Sequence, residues 1–153
     1  MNTEMIYTVW GVLAGALFIC LLAWVYITDM TKRIIPNMAI LIMLIIGILN
    51  TVIAAIFSLA WWWYPIGIMV ALPFLLLWLR GKMGAGDAKL MLACGLFLGL
   101  QASLLIAGLM LVILLIIAGY LYFKQMSLKT QIPLGPVISL ASGIMITLNL
   151  VLS

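Results

Sequence analysis

Histidine is absent from this sequence, cysteine occurs twice and acidic side chains only three times. Each shortage removes a class of chemistry. Without histidine there is no Ser-His or Cys-His nucleophile pair, and Cys20 and Cys94, each inside its own apolar run, offer no Cys-x-x-Cys or Cys/His zinc site. Both thiols read as small buried hydrophobes, and no disulfide framework, metal site or cofactor site is expected. Charge of either sign is scarce: 7% of the residues are charged and 69% are hydrophobic, against roughly 25% and 45–50% in ordinary soluble domains. A soluble chain with so few charges could not cover its surface. The 153 residues are therefore read as one all-α, polytopic membrane domain, residues 1–153. The net charge of +4 comes from seven basic residues spread over short loops. That is a pattern of membrane orientation and not of a nucleic-acid face.

What is present is a series of apolar runs separated by short linkers. The first runs from about Met5 to Thr28, and about 24 residues at 1.5 Å each span the hydrocarbon layer. Lys32 and Arg33 follow it and only Glu4 precedes it, the reverse of a cleavable signal, so it reads as a retained helix. Within it Gly11 and Gly15 form a GxxxG step suited to close helix contact. Pro36 suits the opening turn of a second span, Asn37 to about Phe57. Trp61, Trp62, Trp63 and Tyr64 read as an interfacial anchor. A third run, about Pro65 to Leu79, contains Pro73, which is expected to kink it or open its backbone ladder. A fourth, about Ala88 to Leu100, is too short to cross the layer as a straight helix. A fifth, Ala102 to Phe123, and a sixth, Ile132 to Leu152, complete an expected six-helix bundle with a short fourth helix.

With six spans every basic residue falls on one side: Lys32 and Arg33; Arg80, Lys82 and Lys89; Lys124 and Lys129. The positive-inside rule makes that side cytoplasmic, with both termini outside. Asp29 and Asp87 are then on the cytoplasmic side too. Both lie in turn-marked stretches, TDMTKRIIPN and RGKMGAGDAKL. Acids near a bilayer are costly and are functional candidates by default. A close pair of carboxylates shares a proton and titrates as a unit, so that one member can activate water while the other polarises a carbonyl. Gly84 and Gly86 leave room for a close backbone approach beside Asp87. Plainer readings stand beside this one: Asp87 as a helix N-cap, and Asp29 as an interfacial residue paired with Lys32 or Arg33.

Two signatures resemble the type IV prepilin peptidases, membrane aspartic proteases of the GxGD type. The first is Asp29 with Arg33, Ile35, Pro36 and Asn37; the second is Gly84, Gly86, Asp87, Lys89 and Leu90. Pro133, Gly135 and Pro136 give a looser third match. The resemblance implies a six-helix peptidase core with Asp29 and Asp87 as the catalytic pair. Gly84, Gly86, Lys89, Arg33, Pro36 and Asn37 would shape the site or bind substrate. It further implies cleavage of prepilins or pilin-like precursors after a glycine that ends a short basic leader, at the cytoplasmic face of a prokaryotic cell membrane. Longer relatives carry an N-terminal Cys-x-x-Cys region linked to methylation. The sequence resembles the short branch without it, so no methyltransferase activity is expected. Two competing classes use the same acids differently: a small proton-coupled transporter built on Asp29 and Asp87, and a scaffold subunit whose aspartates only cap and pair. The transporter lacks the mid-helix carboxylate that such sites usually show.

Overall fold

A backbone surrounded by hydrocarbon must satisfy its own polar groups, and apolar runs of this length do so as helices. The computed structural model describes residues 3–57, 59–81, 83–123 and 134–152, and all regular structure among them is helical. Helix α1 is Thr3–Lys32 and α2 is Asn37–Ile56. Next come α3 (Trp63–Gly67), a 3-10 turn (Ile68–Ala71) and α4 (Leu72–Leu79) in unbroken succession. Helix α5 is Ala85–Phe123 and α6 is Gly135–Leu152. Three of these, Met5–Lys32, Asn37–Ile56 and Ala85–Ile113, contain stretches long and apolar enough to cross a membrane, and Trp63–Leu79 and Gly135–Leu148 are shorter apolar helices. The outer faces agree with a lipid surround: Leu13, Ile34, Met38, Ile56, Leu79, Leu115 and Ile116 are among many exposed large apolar side chains. Apolar exposure on that scale is untenable in water.

The expected count of six helices is corrected to five helical segments among the described residues, with α3, the 3-10 turn and α4 counted as one. The fourth and fifth expected runs are two limbs of one helical stretch, Ala85–Phe123, broken at the single residue Gly99 (φ 78°, ψ −176°). The short fourth helix is thus the first limb of α5, and it starts at Ala85, three residues before the expected Ala88. A straight helix of 39 residues would run about 58 Å, roughly twice the hydrocarbon thickness. The break prevents that. Ile106 and Met110 beyond Gly99 are each 1% exposed and share one core with Leu90 and Met91, so the second limb packs back on the bundle. Only glycine adopts that backbone easily, and the break frees carbonyls that side chains then satisfy. Asn50 Nδ2 donates to the Phe97 carbonyl at 3.5 Å while its Oδ1 accepts from Trp10 Nε1 at 3.1 Å, and the Ser103 hydroxyl donates to the Gly99 carbonyl.

Pro73 behaves as expected, with a physical detail added. It lies in the first turn of α4, where its missing N–H costs little, and the helix narrows to the 3-10 turn just before it. Helices α1 and α6 pack along each other, as do α2 and α5 and α3 and α5. Phe18 of α1 stacks on Phe97 of α5 with centroids 4.2 Å apart. The tightest crossing is glycine on glycine. A Cβ on Gly67 would strike the Gly95 carbonyl oxygen, and one on Gly95 would lie 2.6 Å from the Gly67 oxygen. Small residues that let backbones touch are the main means of packing helices in lipid. Gly11, by contrast, faces open space, so its side of the GxxxG step closes no helix contact. We expect Gly67→Ala to destabilise the protein by about 1–3 kcal/mol and Gly11→Ala to leave it unchanged or slightly more stable. Thermal unfolding of the two variants in the same detergent would check this.

Candidate active site

The last turn of α1, the first turn of α5 and the start of α6 meet at one end of the bundle. Helix α1 ends where Arg33 takes a left-handed conformation (φ 52°) and its N–H donates to the Asp29 carbonyl at 2.9 Å. This is a usual helix termination, but an arginine in place of glycine costs roughly 1–2 kcal/mol. The turn redirects Ile34–Pro36 across the end of the bundle, and Pro36 (φ −65°, ψ 124°) leads into α2 at Asn37. Ile35 is thereby wedged between two helix starts. A Cβ on Gly86 would lie 3.0 Å from Ile35 Cβ, and one on Gly135 would lie 3.1 Å from Ile35 Cδ1.

Helix α5 starts at Ala85, after Gly84, and Asp87 is its third residue. It lies in the first turn, two residues past the start, and not at the N-cap position itself. Its carboxylate curls back over Gly84, whose added Cβ would sit 3.2 Å from Asp87 Oδ2. The Gly135 N–H, at the start of α6, faces the same carboxylate. The other side of Gly135 faces Asp29: an added Cβ would come 2.5 Å from Asp29 Oδ2 and 3.1 Å from its Cγ. The two aspartates, 58 positions apart in sequence (87 − 29), are thus gathered around one glycine and are close enough to repel each other electrostatically.

Asp29 is only 6% exposed, whereas Asp87 is half-buried. Arg33 is near enough to attract Asp29 electrostatically. Yet Asp29 Oδ2 is buried and accepts no hydrogen bond from Arg33, Lys32 or any other described residue. A buried carboxylate oxygen without a donor is expensive, so it marks a position kept for something other than packing. Among the described residues no further His, Cys, Asp or Glu joins the pair to make a group of three.

Of the residues singled out in the sequence, Asp29, Asp87, Gly84, Gly86 and Arg33 come together here, and Pro36 completes the connecting turn. Asn37 and Lys89 lie at the exposed rim, where Lys89 Nζ donates to Asn37 Oδ1 at 3.4 Å. Lys82, Lys124, Lys129 and Pro133 lie outside the described residues. Two participants carried no assigned role in the sequence reading: Ile35, whose hydrophobicity is unremarkable here, and Gly135. The only signal for Gly135 was its place between Pro133 and Pro136.

A chain whose described residues form only helices, faced with exposed apolar side chains and holding two carboxyl groups together at one end, has the makeup of a membrane protein. The chain belongs to the type IV leader peptidase family, whose model matches residues 16–123, a span that includes both aspartates. It is thus a member of a protease family. No curated protein and no solved structure matches the chain.

The wedge at Ile35 yields a test of this geometry. Gly86→Ala is expected to destabilise the protein by about 1–3 kcal/mol through the Ile35 contact. Combining it with Ile35→Ala should recover part of that loss, a coupling of about 0.5–3 kcal/mol in a double-mutant cycle of thermal unfolding. Additive losses would show that Ile35 and Gly86 do not meet.

Proposed function

We propose that the protein is an aspartic endopeptidase of the GxGD type, with Asp29 and Asp87 as its catalytic pair. Its substrates would be prepilins or pilin-like precursors, cut after the glycine that ends a short basic leader. One observation carries this reading: the two aspartates of a leader-peptidase-family chain converge on Gly135, and the Asp29 Oδ2 is buried without a donor.

The chemistry follows from a pair that holds one proton. The ionised carboxylate takes a proton from a water molecule as its oxygen attacks the scissile carbonyl carbon, while the protonated carboxyl gives its proton to the carbonyl oxygen. A gem-diol results. As it collapses, the C–N bond breaks, the amine nitrogen gains a proton and the new carboxyl product leaves. The pair again holds a single proton. No histidine or thiol is needed, in keeping with a sequence that has no histidine.

The proposed orientation puts this end of the bundle at the cytoplasmic face. Lys32, Arg33 and Lys89 lie on the same turns as the aspartates, and Arg80 immediately precedes the loop to α5. Such clustering favours the cytoplasmic side. Helix α6 starts beside Asp29, near the end of α1, so the two helices run antiparallel. Thr3 and Leu152 are then both at the opposite end, and the outward placement of both termini is part of the proposal. The exposed Trp61 and Trp62 follow α2 toward that far end, as an interfacial anchor would.

Asp29→Asn and Asp87→Asn should each lower processing of a co-expressed precursor by about 10²–10⁴-fold while the protein remains in the membrane. Immunoblotting for the shortened product, alongside the membrane content of each variant, would measure this. Full processing by either variant would contradict the assignment. A wild-type protein that cleaves nothing but moves protons across vesicles would favour the transporter class instead.

A further inference from the structure

We infer that Gly135 is a positioning residue that sets the geometry of the aspartate pair: its bare Cα lets the Asp29 carboxylate close in beside the start of α6, where Asp87 also gathers. The inference deepens the peptidase reading and rests on it.

Three observations meet at this residue. Its backbone N–H faces the Asp87 carboxylate. An added Cβ would lie 2.5 Å from Asp29 Oδ2, nearer than real Cβ atoms come, and 3.1 Å from Asp29 Cγ. Ile35 Cδ1 closes the third side at 3.1 Å from the same point, so the Asp29 side chain and Ile35 together leave no room for a methyl group. Gly135 itself is buried, at the first position of α6.

The first N–H groups of a helix have no partner within it. Gly135 presents one of them toward the Asp87 carboxylate. The same residue leaves the space that Asp29 occupies, and a Cβ there would push the Asp29 carboxylate away from its partner. The glycine is required here for close approach and not for a special backbone angle, because its φ is not positive.

Gly143 provides an internal control. It lies on the same helix, two turns further on, and a Cβ there meets nothing within 4 Å. Alanine at Gly143 tests whether α6 tolerates a methyl group in general, and alanine at Gly135 tests the site.

The experiment uses the full chain reconstituted in lipid vesicles. The probe is a synthetic precursor bearing a basic leader that ends in glycine ahead of an apolar helix. For Gly135→Ala we expect kcat to fall by about 10²-fold, as misplacement of a catalytic group by about 1 Å does, with KM changed less than about threefold. The pH profile of kcat should change shape, because the pair that shapes it has been pushed apart. Gly143→Ala should keep wild-type kcat, KM and pH profile. A Gly135→Ala protein with wild-type kcat, or one whose lower rate has an unchanged pH profile and matches the loss of folded protein, would overturn the inference. Wild-type, Asp29→Asn and Asp87→Asn proteins run in parallel separate the two failures. If wild type cleaves and both aspartate variants do not, only the role of Gly135 is at stake. If wild type cleaves nothing, the peptidase reading itself fails and the Gly135 proposal falls with it.

Discussion

Two carboxyl groups held close together are the feature on which the rest of this structure turns. Asp29 and Asp87 gather around Gly135, and Asp29 is nearly buried. Carboxylates do not gather in such a place unless surrounding structure holds them there. The restraint comes from three directions: the left-handed turn at Arg33 at the end of α1, the glycine-flanked start of α5, and the backbone of Gly135 at the start of α6. Ile35 wedges against both helix starts. Each device costs some conformational freedom or backbone strain, and together they define one arrangement of two acids.

The remainder of the bundle makes that end rigid. In lipid, apolar faces gain little by meeting each other, so helices associate through close backbone packing and a few internal polar bonds. The Gly67–Gly95 crossing supplies the first, and the Trp10–Asn50–Phe97 bonds supply the second. Both act on the first limb of α5, the helix whose opening turn bears Asp87. The break at Gly99 lets that limb stop short and lets the following residues Ile106 and Met110 return to the core. A limb of about 14 residues, pinned at its far end, is a stiffer support for the Asp87 side chain than a loop would be.

Composition made the membrane class legible from the outset, because the near absence of charge leaves a soluble surface impossible. Both aspartates stood out for the same reason: two among 153 residues are conspicuous. Glycine packing was legible only in part: Gly11 of the expected GxxxG step faces open space, while the close helix contact lies at Gly67 and Gly95. The helix count was not legible. Hydropathy registers where apolar runs pause, and it cannot tell a loop from a single glycine at positive φ, so Ala88–Leu100 and Ala102–Phe123 read as two helices where one interrupted stretch occurs. Ile35 and Gly135 had no assigned role because their parts are purely positional. An isoleucine used as a wedge resembles any isoleucine, and a backbone N–H aimed at a carboxylate leaves no mark on residue type.

Infrared titration of the purified protein in lipid is the most direct test of the central claim that Asp29 and Asp87 form one interacting pair. Only three side-chain carboxyl groups exist in the chain, so each band can be assigned by substitution. The account predicts that Asp29→Asn moves the titration midpoint of Asp87 by about one pH unit or more, as strongly coupled acids require. An Asp87 midpoint unchanged by that substitution would show that the two carboxyls do not sense each other, and would contradict the account.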